Sequence, residues 1–229
     1  MSEYRASVID DEIARQAKLH AALGEPVRLA IVDELSRSDR SPKELGERFG
    51  LRGNLLAHHL DVLEGAGFVE RFTSSGDRRR RYVRLRPDPI HPVGVAGRRL
   101  SGRALFVCTH NSARSQLAAA LWQRATGVDA TSAGTHPADS VHPGAVAAAA
   151  RAGLDLTGTA PRVLDGSDDC DLVVTVCDRA HEELADGDHL HWSVPDPVPV
   201  GTASAFDAAL ADLDRRITSL ARGDRQETP

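Results

Sequence analysis

The strongest constraint in this sequence is a cysteine that follows a short apolar run and precedes an arginine by six positions. The run Arg103–Cys108 has the sequence RALFVC, which is typical of a buried parallel strand. The loop Cys108–Ser115, CTHNSARS, follows, and then the helical pattern QLAAALWQRAT. Backbone N–H groups of such a loop and of the helix N-terminus form a site for a tetrahedral anion. The sequence therefore predicts an oxyanion site that contains a reactive thiol.

Each residue type in this loop suits a different part of anion chemistry. The positive field of the loop favours the thiolate form of Cys108, which makes it the predicted nucleophile, and Arg114 is the predicted clamp for the oxyanion. Asp196, in the sequence VPDP, follows the last predicted strand and can protonate a leaving oxygen as a general acid. The predicted oxyanion-binding residues are Thr109, His110, Asn111, Ser112, Ala113 and Arg114.

The segments after this loop alternate between strand and helix patterns. Strands are predicted in VDATSAGT, CDLVVTVC and HLHWSVP, and helices in HPGAVAAAARAG, RAHEEL and SAFDAALADLDRRITSLA. This order predicts a doubly wound α/β fold with a four-stranded parallel sheet. Ligands of such sheets bind at the carboxyl ends of the strands, which is where Cys108 lies.

The front of the chain has a different pattern. Helical spacing in HAALGEPVRLAIVDELS is followed by a capping box that begins at Ser41, a helix at Arg52–Gly65 and a β-hairpin with its turn at Gly76-Asp77. This order predicts a winged helix-turn-helix, a mainly α domain whose β-hairpin is the wing. In the Arg52–Gly65 helix, Asn54 and His58 fall opposite the leucine face.

Charge supports a nucleic-acid partner for this front part. Residues 1–86 carry a net charge of +2, whereas the remainder carries −7. We expect binding to double-stranded DNA, with the alternative that the module only dimerises or packs on the rear part. The predicted DNA-contacting residues are Arg52, Asn54, His58, His59, Arg78, Arg79, Arg80 and Arg81.

The chain is expected to divide into residues 1–86, a linker at 87–102 and a second domain at 103–229. The stretch Arg86–Gly102 holds three prolines and three glycines without periodicity, which is typical of a linker. The chain shows neither an apolar run of membrane-spanning length nor a signal-peptide pattern, so we expect a cytoplasmic protein that does not enter a membrane. Cysteine and histidine spacings typical of metal sites are absent, so no metal is expected.

Four stretches of the rear domain resemble the low-molecular-weight tyrosine phosphatases, specifically their arsenate-reductase branch. They are FVCTHNSARSQLAAALW, SAGTHPADSVHPGAVAAAARAGLDL, DLVVTVCD and HWSVPDP. The resemblance implies that Cys108 is the nucleophile, that Ser115 donates a hydrogen bond to its thiolate, and that Asn111 holds the strained loop. Tyrosine phosphatases of this fold have aromatic residues after the Asp-Pro pair, whereas Val198 stands here. The resemblance therefore implies arsenate, or a similar phosphate-like oxyanion, as the substrate.

The front domain resembles the ArsR family of small-effector-responsive repressors. The similarity lies in ALGEPVRLAIVDEL, SPKELGERFGL, LAHHLDVLEGAGFVERF and GDRRRRYVRL. It implies a homodimeric repressor with the Arg52–Gly65 helix in the major groove and Arg78–Arg81 on phosphates. The stretch ELGERFGL lacks the cysteine pair of the arsenic-sensing members.

The two other cysteines bear on how an arsenate adduct is reduced. Cys170 and Cys177 are separated by most of one predicted strand, roughly 23 Å at 3.3 Å per residue, which is too far for a disulfide. Cys177 is predicted on the rim that carries Cys108, as a possible resolving thiol, and Cys170 is predicted as a buried bystander. In relatives that recycle through thioredoxin, a further cysteine occupies the position of Leu184.

The reductant is therefore expected from outside, as mycothiol or a thioredoxin-type system, with no bound cofactor. Of the 28 basic residues 26 are arginine, which indicates a GC-rich genome and favours mycothiol. We expect an arsenate reductase fused to an ArsR-type regulator that acts in arsenic resistance. Two alternatives stay open: an oxyanion-sensing repressor whose rear domain is not catalytic, and a phosphatase of small phosphate esters.

Overall fold

The computed structural model describes residues 13–14, 16–86, 102–166, 169–184, 187 and 189–222. The chain forms two compact units, the first made of residues 1–36, 40–72 and 81–95, and the second of residues 37–39, 73–80 and 96–229. Apart from Gly102, the predicted linker lies outside the described residues, so the predicted boundaries at 86 and 103 stay predictions.

The first unit is mainly helical. Residues 16–23 are helical, a bend follows at 24–25, and three helices come next: α1 at Pro26–Arg37, α2 at Pro42–Phe49 and α3 at Gly53–Gly65. The helical spacing in HAALGEPVRLAIVDELS is divided between two helices, because Pro26 has no N–H to continue the first one. The predicted leucine face of α3 packs into the core of this unit, since Leu56, Leu60 and Leu63 are all buried there.

Helix α2 begins and ends as the sequence predicts. The Ser41 hydroxyl accepts from the Glu44 N–H at 3.3 Å, and the Ser41 N–H donates to the Glu44 carboxylate at 2.7 Å, which completes the capping box. At the other end Gly50 adopts φ 63°, a left-handed conformation that glycine tolerates best.

The predicted wing is present with a wider turn. Strand β1 covers Val69–Thr73 and strand β2 covers Arg81–Leu85, so Arg78–Arg80 belong to the turn rather than to the strand. An isolated antiparallel bridge between Arg40 and Val83 extends the pairing of this hairpin.

The second unit has a four-stranded parallel sheet flanked by helices, as predicted. Its strands stand in the order β4-β3-β5-β6. The strand bounds are Ala104–Cys108 (β3), Ala130–Gly134 (β4), Leu172–Thr175 (β5) and Leu190–His191 (β6). The helix bounds are Arg114–Thr126 (α4), Pro143–Arg151 (α5), Asp178–Leu184 (α6) and Ala203–Arg222 (α7). Among the described residues, no helix combines the length and apolar character needed to cross a membrane.

Short segments from earlier in the chain complete this second unit. Strand β6 is only two residues long, and the segment 37–39 lies along its free edge. The Asp39 N–H donates to the His191 carbonyl at 2.7 Å, and the His191 N–H donates to the Ser38 hydroxyl at 2.8 Å. An edge strand is left with unpaired backbone groups, so these bonds satisfy what β6 lacks.

The hairpin turn 73–80 is held by helix α6 within the same unit. The N–H and hydroxyl of Ser75 donate to one Asp178 carboxylate oxygen at 2.6 and 2.9 Å, and the Ser74 hydroxyl donates to Glu182 at 2.7 Å. Burial opposes ionisation of Asp178, but hydrogen bonds from His191 and Ser75 outweigh it and hold the pKa of Asp178 well below its usual range.

A buried histidine lies beside this carboxylate. Nε2 of His191 lies 3.2 Å from Asp178 Oδ1, and its Nδ1 lies 3.0 Å from the Thr175 hydroxyl oxygen. The ring also stacks on that of His181, with 4.0 Å between the ring centres. Burial lowers the pKa of His191, and the neighbouring His181 lowers it further, against the opposing effects of Asp178 and Asp39. In the pH range where the unfolded chain binds a proton at His191, the folded protein therefore keeps His191 neutral.

This depressed pKa predicts a loss of stability in mild acid. Below about pH 6.5 the unfolded chain binds a proton at His191 that the folded protein does not, so the free energy of unfolding falls as pH falls, by up to ~1.4 kcal/mol per pH unit. Urea unfolding between pH 7.5 and 5 measures this slope. His191→Gln is expected to reduce this slope by ~1.4 kcal/mol per pH unit, which corresponds to one proton. An unchanged slope in that variant would contradict the depressed pKa of His191.

Candidate active site

The predicted strand–loop–helix arrangement is present in the second unit. Strand β3 is buried throughout and ends at Cys108, which is 3% exposed, and helix α4 begins at Arg114. The loop between them, residues 109–113, lies at the carboxyl end of the central part of the sheet. Ala113 stands at the N-cap of α4 and makes no side-chain cap, so the N–H groups of the first turn are available to a ligand.

The backbone carbonyls of the loop are turned away from its centre. The carbonyls of residues 108–112 accept hydrogen bonds from N–H groups of the segment 135–142 or from the side chain of Gln116. The pairs are Thr135 N to Cys108 O, His136 N to Thr109 O, Ala138 N to His110 O, Gln116 Nε2 to Asn111 O and His142 N to Ser112 O, all between 2.8 and 3.2 Å. Because the N–H of each peptide unit is directed opposite to its carbonyl, the amides converge on the inside of the loop.

Asn111 fixes this conformation. It is fully buried and is the non-glycine residue with a positive φ (49°) among the residues described. Its amide nitrogen donates to the Ser115 hydroxyl at 2.8 Å, and its amide oxygen accepts from the Arg162 N–H at 2.9 Å. These bonds stabilise a backbone conformation that costs free energy by itself.

The sulfur of Cys108 has polar neighbours on two sides. The Asn111 backbone N–H donates to Cys108 Sγ at 3.2 Å, and Ser115 Oγ lies 3.1 Å from the same sulfur. Since the Ser115 hydroxyl accepts from Asn111, its own proton is free to be donated to the sulfur. The sulfur therefore has a hydrogen-bonding group on each of two sides.

Strand β4 approaches this loop closely. Gly134 pairs in register with Cys108, and a Cβ at Gly134 would lie 2.8 Å from the Thr109 carbonyl oxygen and 3.0 Å from Asn111 Cβ. Only glycine permits this approach, so the SAGT sequence is part of how the loop is held.

Arg114 and Asp196 form an ion pair beyond the carboxyl ends of the strands. Arg114 Nη2 lies 2.8 Å from Asp196 Oδ2, and Arg114 Nη1 donates to the Val194 carbonyl at 2.9 Å. The Arg114 side chain is 7% exposed, whereas the Asp196 side chain is 34% exposed and reaches solvent. The other Asp196 oxygen accepts from the Val198 N–H at 3.1 Å.

Cys177 lies on the same rim as Cys108. Its Sγ is 3.4 Å from the Thr109 hydroxyl of the anion loop, and its side chain is buried. Burial raises the pKa of the Cys177 thiol, against the opposing field of Arg114, and the neighbouring Cys108 raises it further. Cys177 is thus close to the nucleophile and is held in the thiol form.

The remaining loop residues and the third cysteine differ in exposure. Thr109, Ser112 and Ala113 are buried, whereas the side chain of His110 is exposed. Cys170 lies two residues before strand β5, at the end opposite Cys177, and is half-buried rather than the buried bystander that was expected.

Two residues of the site were not predicted from the sequence. Gln116 donates to both the backbone carbonyl and the side-chain oxygen of Asn111, and Arg162 supplies a backbone N–H to the same side chain. Gln116 follows Ser115 directly but carries no chemistry of its own, and Arg162 acts through its backbone, so neither gives a signal in the sequence.

The predicted DNA-contacting residues are exposed with one exception. Arg52, Asn54, His58 and Arg78–Arg81 are exposed. His59 is 7% exposed and lies against Glu25, with 3.5 Å between His59 Nδ1 and Glu25 Oε2. His59 is thus buried on α3, unlike the other predicted contacts, and its contact with DNA stays a prediction.

Comparison with known proteins gives two family matches in this chain. The family described as low molecular weight phosphotyrosine protein phosphatase matches residues 103–228, and a helix-turn-helix domain matches residues 23–71.

Individual relatives match the rear part of the chain. It is 33% identical over 102 residues to a protein of Halobacterium salinarum named for arsenate reduction (40% of this chain, 72% of that protein) and 34% identical over 100 residues to an arsenate reductase of Bacillus cereus (40% and 74%). The crystal structure of arsenate reductase from Archaeoglobus fulgidus aligns with a TM-score of 0.46 at 30% identity, covering 52% of this chain and 98% of that one.

The site geometry predicts that oxyanion binding does not need the sulfur. Cys108→Ser is expected to bind inorganic phosphate within about threefold of the unsubstituted protein, because the inward N–H groups and Arg114 remain. Arg114→Leu is expected to weaken binding at least tenfold, about 1.4 kcal/mol, through loss of the charged clamp. Isothermal titration calorimetry compares the three proteins, and equal affinity in Arg114→Leu would contradict the assignment of the clamp.

Proposed function

We propose that this chain, which belongs to the low molecular weight phosphotyrosine protein phosphatase family, is an arsenate reductase fused to a DNA-binding regulator. The observation that carries the proposal is the loop of inward N–H groups that holds the Cys108 sulfur beside the Arg114–Asp196 pair. The names of the relatives in Halobacterium salinarum and Bacillus cereus support arsenate as the oxyanion.

The surroundings of Asp196 favour a small tetrahedral oxyanion over an aryl phosphate. Asp196-Pro197 is followed by Val198, a half-buried side chain that packs against the core of the second unit. The sequence that follows, Pro199-Val200, also lacks an aromatic ring. A phenyl ring would find no stacking partner from this segment, whereas arsenate needs only the loop and the clamp.

In the first step, the Cys108 thiolate attacks arsenic in bound arsenate. A sulfur–arsenic bond forms and an arsenic–oxygen bond breaks, and the leaving oxygen takes a proton from Asp196 and departs as water. The loop N–H groups and Arg114 neutralise the charge that builds up on the other arsenate oxygens. The product of this step is a Cys108-bound arsenic(V) adduct.

In the second step, an external thiol supplies the electrons. A small thiolate displaces Cys108 from arsenic and forms a new sulfur–arsenic bond, which regenerates the Cys108 thiolate. A second thiol then attacks the sulfur of this small-molecule adduct, so that a disulfide forms, the sulfur–arsenic bond breaks and its electron pair stays on arsenic. Arsenite is released, and two thiols have been oxidised to one disulfide.

The positions of the cysteines favour this external route. Cys177 is near the loop, but burial keeps it in the thiol form, and the chain has only three cysteines, the third of which lies at the other end of β5. A Cys108–Cys177 disulfide would have no further thiol in the chain to carry it to the surface. We therefore propose a cytoplasmic thiol such as mycothiol as the cosubstrate, with a thioredoxin-type system as the alternative.

Steady-state rates test the activity. We expect arsenate reduction with a mycothiol-plus-mycoredoxin system, slower hydrolysis of para-nitrophenyl phosphate, and loss of both in Cys108→Ser. Hydrolysis of the ester without arsenate reduction under any thiol system would favour a small-ester phosphatase. Phosphate binding with neither reaction would leave the second unit as an oxyanion sensor.

The external route predicts that Cys177 is dispensable. Cys177→Ser is expected to keep arsenate turnover within about threefold in the mycothiol-plus-mycoredoxin assay, since the electrons do not pass through it. Cys170→Ser is the matched control, because Cys170 lies outside the site in either route. A loss of more than tenfold in Cys177→Ser alone, about 1.4 kcal/mol of barrier, would restore an internal relay.

For the helix-turn-helix and its hairpin we propose a homodimeric, ArsR-type repressor that controls genes of arsenic resistance. The helix-turn-helix match and the exposed polar face of α3, with Asn54 and His58, support insertion into a major groove. The exposed arginines of the hairpin, Arg78–Arg80 in its turn and Arg81 at the start of β2, suit phosphate oxygens.

Salt dependence tests the role of the turn. Replacing Arg78, Arg79, Arg80 and Arg81 with alanine is expected to weaken binding to operator DNA and to reduce the slope of log affinity against log salt by about 0.9 for each lost phosphate contact. Fluorescence anisotropy at several salt concentrations gives the slope. The double variant Arg124→Ala/Arg151→Ala, which removes exposed arginines elsewhere, is the control, and an unchanged slope in the turn variant would contradict phosphate binding by the turn.

A further inference from the structure

A buried carboxylate outside the phosphatase-family match supports the segment that carries the acid. Asp39 is 1% exposed and precedes the family match, which starts at residue 103, yet it belongs to the same compact unit as the active site. We propose that Asp39 is a positioning residue for the Arg114–Asp196 pair. The proposal rests on the role of Asp196 as the proton donor in the proposed reaction.

Both oxygens of Asp39 are engaged. Oδ2 accepts from the Ser193 backbone N–H at 2.7 Å, and Oδ1 accepts from Arg216 Nη1 at 3.1 Å. The Asp39 N–H also donates to the His191 carbonyl at 2.7 Å. A buried carboxylate with a cationic partner and a short charge-assisted bond to backbone is held in one orientation.

The residues that Asp39 holds lead directly to the acid. Strand β6 ends at His191, so the segment 192–196 continues beyond the last paired strand of the sheet. Asp39 holds this segment at Ser193, and Arg114 holds it one residue later through the Val194 carbonyl. The segment then reaches Asp196, which pairs with the same guanidinium.

This placement makes the geometry of two reacting groups depend on how the segment 192–196 is anchored, and Asp39 supplies the anchor at Ser193. If Ser193 loses its anchor, Val194 no longer fixes one nitrogen of Arg114, and Asp196 no longer fixes the other. Reacting groups that are misplaced by about 1 Å lose catalytic power even though each side chain is still present. Asp39 thereby affects the proton transfer without contacting the substrate.

The neighbouring charges offer a matched control. Arg216 pairs with Asp39 and also with Asp212, whose Oδ1 lies 3.4 Å from Arg216 Nε. Asp212→Asn removes this second carboxylate and leaves the bond from Ser193 to Asp39 in place. It therefore reports how much of any effect comes from disturbing Arg216 alone.

A double-mutant cycle on the full chain tests the proposal. In the unsubstituted protein, Asp196→Asn is expected to reduce kcat for arsenate by about a hundredfold, in the range of general acid catalysis. Asp39→Asn is expected to reduce kcat about tenfold with KM changed less than threefold, while Asp212→Asn stays within twofold. In the Asp39→Asn background, Asp196→Asn should cost only about a further tenfold, because part of the contribution of the acid is already lost.

A residue that only stabilises the fold would give a different result. The two losses would then multiply, so that Asp196→Asn costs the same hundredfold in either background, and this outcome would overturn the proposal. If Asp39→Asn does not fold, Arg216→Gln replaces it in the cycle, because this variant removes the charged partner of Asp39. The coupling energy is then expected to have the same sign and a smaller magnitude. Failure of coupling in that variant also overturns the proposal.

The choice of substrate separates this inference from the proposed reaction. The same cycle is measured with para-nitrophenyl phosphate, whose leaving oxygen also takes a proton from the acid. No arsenate turnover in the unsubstituted protein, together with coupling on the ester, would reject the arsenate assignment and retain Asp39 as a positioning residue. Turnover of arsenate without coupling on either substrate would retain the arsenate assignment and reject Asp39 as a positioning residue.

Discussion

The site depends on the hydrogen bonds that hold Asn111 in a left-handed backbone conformation. They fix a loop whose carbonyls accept hydrogen bonds from groups outside the loop and whose N–H groups converge inside it. One of these N–H groups donates to the Cys108 sulfur. Without this loop, Cys108 would be an ordinary buried thiol at the end of a strand. In the proposed reaction, the loop sets the sulfur and Arg114 in place before the oxyanion binds, which is the condition for effective electrostatic catalysis.

Much of this arrangement was predictable because it is local in sequence. An apolar strand, a loop and a helix N-terminus lie within about twenty residues, so Cys108, Arg114 and the loop residues could be assigned roles, and Asp196 followed from the rule that strand ends share a rim. The capping box at Ser41 and the end of α2 at Gly50 are local for the same reason.

The features that the sequence did not reveal depend on contacts between distant segments. Asp39 and Ser193 are 154 positions apart, and no local pattern joins them. The burial of His59 was not predicted, because helical periodicity gives a face but not the depth to which the edge of that face is covered. Likewise, the second unit includes the turn 73–80, which a division by sequence pattern assigns to the hairpin alone.

The claim that Cys108 carries arsenic until an outside thiol removes it has a direct test. Protein in excess of arsenate is incubated without and then with a small thiol, and arsenite is quantified by arsenic speciation. The account predicts almost no arsenite before the thiol is added and close to one equivalent per arsenate afterwards. Stoichiometric arsenite without added thiol, or none after its addition, would contradict it.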